Sequence, residues 1–276
     1  MQIENFEKGK NKMNKFLKIL LIIAIIAVIV GIVFLGYGYI KKSTMEVKKP
    51  VATIEVENFG TIKVELYPEM APNTVTNFIR LANRGFYDGL TFHRTIPEFM
   101  IQGGDKSGTG TGSPMLSNIE DNVKEDKAYT IEWEFIANGH SENTLKFKRG
   151  VIAMARTDYS SLSTSLTTQG YNSAGSQFFI MTNDNDNLNG IYAGFGKVIE
   201  GMDVVDNISN VEVVTRDKNA TDGVDKPVNP PVIKSIKVET YGVDYGEPKT
   251  LEPFNYYNWL MKQYQTSTSQ QTTTEQ

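Results

Sequence analysis

Between Phe92 and Asp105 the chain reads FHRTIPEFMIQGGD, a short run that combines a cation, large apolar side chains and an uncharged amide. Arginine is always protonated, holds its donors in one rigid plane and cannot act as a base. Arg94 therefore suits a task in which a lone pair or partial negative charge must be met by a hydrogen bond without proton transfer. Phe99 and Met100 offer apolar surface, and Gln102 a neutral polar contact. Period-two alternation puts Arg94 and Gln102 on one face if the chain runs regularly through Pro97, and it points His93 to the opposite face.

Other chemistries lack their residues. There is no cysteine, which excludes disulfides, thiolate metal sites and cysteine nucleophiles. His93 and His140 are the only histidines, far apart and without a GxSxG, so neither a catalytic triad nor a zinc site is expected. GGDKSGTGTG at Gly103–Gly112 has no GK[ST] ending and reads as a turn-rich connection, with no nucleotide as partner. The run from Asp184 to Gly190 puts Leu188 at the fifth position and Phe195 at the twelfth of a calcium loop, so it reads as an acidic loop. No metal or cofactor is expected. The formal charge is −4; the first 18 residues carry five Lys and two Glu, which leaves −7 for the remainder and argues against nucleic acid.

The elements that must position these residues follow from periodicity. VATIEVENFGTIKVELY alternates Ile54 and Val56, then Ile62, Val64 and Leu66, around Asn58-Phe59-Gly60, which predicts a half-buried hairpin. APNTVTNFIRLANRGFY carries Val75, Phe78, Ile79 and Ala82 at helical spacing, with Asn73 or Thr74 as cap and Gly85 past the end. Strand-like runs recur at Leu90–Ile101, Val151–Ala155, Phe178–Met181, Gly194–Val198 and Val232–Glu239, and Glu200–Ile208 reads as a second short helix. The barrel-like pattern ends near Thr240. An aromatic extension follows over 241–264, with a helix starting at Pro253, and the polar tail 265–276 has nothing to bury and is expected to be disordered.

At the other end, Ile19 to Ile40 is 22 positions without a charge. As a helix it reaches roughly 33 Å, enough to cross a bilayer. Residues 1–18 then form a short basic tail, 19–40 a transmembrane anchor and 41–50 a tether to a domain on the extracytoplasmic side of the cell membrane. The alternative is a cleaved signal peptide, against which stand the length of the run and the lack of a small-residue site before Lys41.

Besides FHRTIPEFMIQGGD, the chain carries GVIAMA at Gly150–Ala155, SAGSQFFI at Ser173–Ile180 and GFGKVIEGMDVV at Gly194–Val205. In order and spacing these blocks resemble a cyclophilin over about residues 51–240. The resemblance implies a mainly β fold, an eight-stranded antiparallel closed barrel capped by two helices with a groove on its outer surface. It also implies peptidyl-prolyl cis-trans isomerase activity. Arg94 matches the family's catalytic arginine; Phe99, Met100, Phe179 and Leu188 match its proline pocket. Gln102, Ala155 and Gln177 match the groove for the peptide backbone, and Tyr192 stands where the well-known eukaryotic members have histidine. Those members carry tryptophan where Asn187 precedes Leu188, so weak binding of the inhibitor cyclosporin is implied. The expected partners are proline-containing polypeptides, and the expected role is folding of exported proteins; a non-catalytic Pro-peptide-binding chaperone or an envelope scaffold is the alternative. The segment after Ala155, RTDYSSLSTSLTTQGYNSA, is longer than the family's usual loop. It either gates substrate choice or is a solvated loop tolerated because length costs little.

Overall fold

The computed structural model describes residues 15–44, 48–159 and 162–274. The N-terminal part of the basic tail, residues 45–47 of the tether, 160–161 of the long loop and 275–276 lie outside the described residues. The chain divides into two compact units, Met1–Lys48 and Lys49–Gln276.

In the first unit residues 15–44 form one helix, α1 (Lys15–Thr44), whose stretch Lys18–Gly36 has a mean hydropathy of 3.4. It is apolar on every side, with all its described apolar side chains exposed from Ile19 to Leu35. A helix without a polar face suits a lipid surrounding. This one is consistent with a signal anchor or a signal peptide.

In the second unit, β1 (Val51–Val56) and β2 (Gly60–Leu66) form the expected hairpin, its turn made by Asn58 at φ 63° and Gly60 at φ 123°. Helix α2 (Pro72–Asn83) follows, then β3 (Phe92–Ile96) and β4 (Met100–Gly103). After a two-residue β5 (Thr130–Ile131) come β6 (Val151–Met154), a short α3 (Thr167–Tyr171), β7 (Phe178–Met181) and β8 (Gly194–Glu200). Helix α4 (Met202–Ser209), β9 (Ile233–Glu239), a two-residue β10 (Thr250–Leu251) and α5 (Tyr256–Thr274) complete the chain.

Eight strands make one antiparallel sheet in the order β3-β4-β7-β6-β8-β2-β1-β9. The sheet curls into a half-barrel. Its edge strands meet at the single bridge Thr91–Val232, where the Phe92 amide donates to the Pro231 carbonyl at 2.9 Å and Ile233 to Leu90 at 2.7 Å. Closure is therefore one short contact and not a full ladder.

Alternation sorts the side chains. Ile54, Ile62, Val64, Ile152, Phe178, Ile180 and Ile236 turn inward and pack with Val75 and Phe78 of α2 and Val205 and Ile208 of α4. Phe78 is fully buried, edge-on to Phe178 at 5.7 Å, and burial of such a ring contributes about 1.5–3 kcal/mol. The alternate residues Met100, Val151, Ala153, Phe179 and Met181 form a second apolar cluster on the outer face. This is why VIAM and FFIM read as continuous apolar runs: both faces are covered.

Two expectations are corrected. Leu90–Ile101 is not one strand, because Pro97 and Glu98, the latter at φ 55°, turn the chain into the β3–β4 hairpin. Neither Asn73 nor Thr74 caps α2: Pro72 occupies its first turn, Ala71 is the N-cap without a side-chain bond, and the Glu134 carboxylate supplies the cap from elsewhere in the chain. Helix α5 runs on into the polar tail as far as Thr274, and neither Pro nor Gly interrupts the chain after Pro253.

The extension after Thr240 lies against the domain. Asn73 exchanges two hydrogen bonds with the backbone of Lys249, at 3.0 and 2.7 Å, and Arg80 pairs with Glu247. Strand β10 then pairs with β5.

Candidate active site

The turn at Pro97–Phe99 makes Arg94 and Gln102 direct cross-strand partners. The same row continues across the sheet, Gln102 opposite Phe179 on β7 and Phe179 opposite Ala153 on β6. Strands lie about 4.8 Å apart, so the Arg94 backbone stands roughly 10 Å from the Phe179 backbone, a distance its long side chain can span. This row is the frame of the site.

A pocket of about 110 Å³ opens over it, lined by Arg94, Met100, Gln102, Ala155 and Phe179 from the sheet and its margin. Phe99 from the hairpin turn, and Leu188 and Tyr192 from the segment before β8, complete the wall with Arg156. Leu188 ends a short 3-10 turn that Asn185 opens by accepting the Asn187 amide at 3.1 Å. Tyr192 stands edge-on to Phe179 at 5.6 Å. Each apolar wall residue belongs to or rests on the outer cluster, so the pocket floor is packed.

Gln177 lies one step along, in a neighbouring cleft that also touches Gln102 and Ala155. The Gln102 amide donates to Gln177 Oε1 at 3.1 Å, and Gln177 Nε2 donates to the Gly112 carbonyl at 3.1 Å. Both amides are thereby oriented along the groove.

Arg94 is 42% exposed at its side chain, with Nη2 3.8 Å from Asp225 Oδ2. Asp225 is buried and also holds Arg216 at 3.2 Å and Lys218. Beneath the glycine-rich arch, Asp105 accepts from the Ser107 and Thr109 amides at 2.8 and 2.9 Å and from Gly110 at 2.5 Å. Burial alone would raise the Asp105 carboxyl, but these donors outweigh it and hold it below the usual carboxylate range. Gly104, at φ 84°, is required here: a Cβ would stand 2.5 Å from the Ser176 carbonyl.

His93 departs from the expectation. The register shifts between Phe92 and Arg94, a bulge that breaks the alternation, and His93 lines the same outer cleft as Arg94. Its burial pushes the imidazole below its ordinary value, against the pull of Asp105.

Arg156 was not singled out by sequence, although it directly follows Ala155 at the end of the GVIAMA block. Its side chain is only 10% exposed, and its guanidinium lies over Tyr192 at 4.9 Å, Tyr171 at 5.6 Å and Trp133 at 5.7 Å. It braces the pocket wall that it helps to line. A cation surrounded by aromatics separated by tens of residues leaves no local pattern to read.

These groups donate hydrogen bonds and bury apolar surface. Such a surface can hold a peptide, desolvate one amide and stabilise its twisted form, which is the chemistry of a peptide-bond isomerase. The comparisons with known proteins agree. The family described as Cyclophilin type peptidyl-prolyl cis-trans isomerase/CLD matches residues 51–238. Peptidyl-prolyl cis-trans isomerase B of Bacillus subtilis is 42% identical over 159 residues, 58% of this chain and 90% of that protein. The peptidyl-prolyl cis-trans isomerase of Synechococcus elongatus is 37% identical over 172 residues, 59% of this chain and 96% of that protein. A crystal structure of a Cryptosporidium parvum cyclophilin type isomerase matches with TM-score 0.52 and 29% identity, covering 69% of this chain and 97% of that chain. The chain belongs to the cyclophilin family and is a peptidyl-prolyl cis-trans isomerase acting on proline-containing peptides.

Proposed function

We propose that the chain catalyses Xaa-Pro isomerisation in exported proteins, held by α1 at the extracytoplasmic face of the cell membrane, with Arg94 as the catalytic donor. The observation that carries the chemistry is the cross-strand row Arg94, Gln102, Phe179 and Ala153 under an apolar pocket. The reaction faces a barrier of roughly 18–20 kcal/mol that comes from amide resonance. In this reading the pyrrolidine ring enters between Phe99, Met100, Phe179 and Leu188, with Tyr192 closing one side. Gln102, Gln177 and Ala155 hold the flanking backbone. As the C–N bond twists, the prolyl nitrogen turns pyramidal and regains its lone pair, and Arg94 donates to it.

A rate gain of order 10⁵ needs about 7 kcal/mol of differential transition-state binding. One charged donor, desolvation of the carbonyl and a fitted ring pocket can share that amount. The location reading rests on the uninterrupted apolar surface of α1. Protease added to intact cells tests it: loss of residues 49–276 with retention of a membrane-held α1 fragment supports the outer-face anchor. Full protection, or release of the whole domain to the medium without protease, contradicts it.

A further inference from the structure

We propose that a second, polar cleft beside the proline pocket is a substrate subsite that takes a carboxylate-bearing side chain next to the proline. The proposal rests on the isomerase reading above and names a preference within it.

The cleft encloses about 520 Å³ between the β3–β4 hairpin, the arch Gly108–Gly110 and the segment Asp222–Lys226. It shares Arg94, Gln102 and Arg156 with the proline pocket, so a peptide seated by its proline continues into it. Three cations line it, Arg94, Arg156 and Lys226, against one carboxylate, Asp222. Asp225 does not redress the balance: it is 1% exposed and turned to Arg216, Lys218 and, at 3.8 Å, Arg94. Arg156 has Asp158 at 3.8 Å from Nη1, a carboxylate that does not line the cleft. The Lys226 ammonium is exposed and meets no carboxylate among the described residues.

The second observation is His93. It lines the same cleft at 7% exposure, with both ring nitrogens closed off from solvent beneath the arch. Its ring therefore shapes the floor of the cleft and leaves recognition to the three cations. Nε2 stands 3.9 Å from the place a Gly110 side chain would start, and Gly110 is in the left-handed region at φ 87°, so the arch passes close above the ring.

The far wall is fixed by the fold. Thr95 donates its amide to the Asp225 carbonyl at 2.9 Å, and Asp225 donates to Thr215 at 2.8 Å. Arg216 Nη1 donates to the Thr95 carbonyl at 2.6 Å. The segment carrying Lys226 is thus stitched to the outer edge of β3, one residue from Arg94.

The test is isomerisation by the full chain in detergent of Ala-Pro peptides carrying Glu, Gln or Lys immediately before or after the dipeptide. At low ionic strength the Glu peptide is expected to exceed its Lys counterpart in kcat/KM by about three- to tenfold at one of the two positions, the range that one or two partly exposed ion pairs support. The preference should collapse at about 1 M salt, where charges are screened beyond roughly 3 Å. In Lys226→Glu the ratio is expected to fall below one at the same position. Equal rates for Glu, Gln and Lys peptides would overturn the subsite while leaving the isomerase standing. A Glu preference that survives Lys226→Glu would overturn it too, and no turnover of any peptide would remove the isomerase reading beneath it.

Discussion

Replacing Glu134 by Ala removes the cap of α2 and is expected to destabilise the domain by about 3 kcal/mol. Glu134 is 4% exposed, and its carboxylate accepts from the Asn73 amide at 2.9 Å, the Thr74 amide at 2.8 Å and the Thr74 hydroxyl at 2.7 Å. Among the described residues nothing else serves that helix end: Ala71 has no polar side chain and Pro72 no amide hydrogen. Losing the acceptor strands two amides at about 1–3 kcal/mol each, and loss of a negative charge at the helix N-terminus adds about 0.3–1 kcal/mol. Asn73 is half-buried, so water recovers part of its share, which brings the total toward 3 kcal/mol. For a domain of this size that is a fall of roughly 6–12 °C in the unfolding midpoint. Thermal unfolding of the full chain in detergent, followed by circular dichroism, reads it directly. Glu134→Gln keeps one acceptor oxygen and should lose about half as much. Because Glu134 does not line the proline pocket, kcat/KM at 10 °C should be retained. A fall below about 3 °C for Glu134→Ala would refute the capping argument.

The remaining predictions concern pH and the C-terminal extension. Burial depresses the folded-state pKa of His93, so the unfolded chain takes up its proton first as pH falls: stability is full above about 6.5 and declines below it. Denaturant midpoints at pH 8 and pH 5 should differ less in His93→Gln than in the natural chain, and an unchanged difference would count against the buried neutral imidazole. Ending the chain at Thr240 removes the Asn73–Lys249 bonds, the Arg80–Glu247 pair and the β10–β5 pairing. At about 0.5–1.5 kcal/mol per bond this should lower the unfolding midpoint by roughly 5–10 °C, and an unchanged midpoint would show that the extension does not dock.

Local sequence carried the parts of this fold that repeat locally. Ile62, Val64 and Leu66 announce a half-buried strand by alternation, and Val75, Phe78, Ile79 and Ala82 announce a helix by spacing. The four blocks around Arg94, Ala155, Phe179 and Phe195 were enough to set the family and the sheet. What stayed hidden depends on contacts between distant residues. Pro97 turned the run at Phe92–Asp105 into a hairpin, so Arg94 and Gln102 meet across strands and not along one. The His93 bulge, which moves that ring into the outer cleft, has no compositional mark. Glu134 caps α2 from 60 residues away, and Arg216 reaches the Thr95 carbonyl from 121 residues away. The long loop after Ala155 read as either a gate or solvated chain; it buries Leu166 and sets Tyr159 edge-on to Phe254 at 5.2 Å, a contact between two segments that local patterns treat separately.

The central claim is that Arg94 supplies the hydrogen bond that stabilises the twisted prolyl amide. Isomerisation of an Ala-Pro peptide by the full chain, compared with Arg94→Ala and Arg94→Lys at matched folding, tests it most directly. Removing one preorganised donor of this kind typically reduces kcat by about 10²–10³. The account predicts a loss of that size for Arg94→Ala, carried by kcat with KM little changed, and only partial recovery in Arg94→Lys because the planar fork is gone. Equal kcat/KM for the natural chain and Arg94→Ala would contradict it.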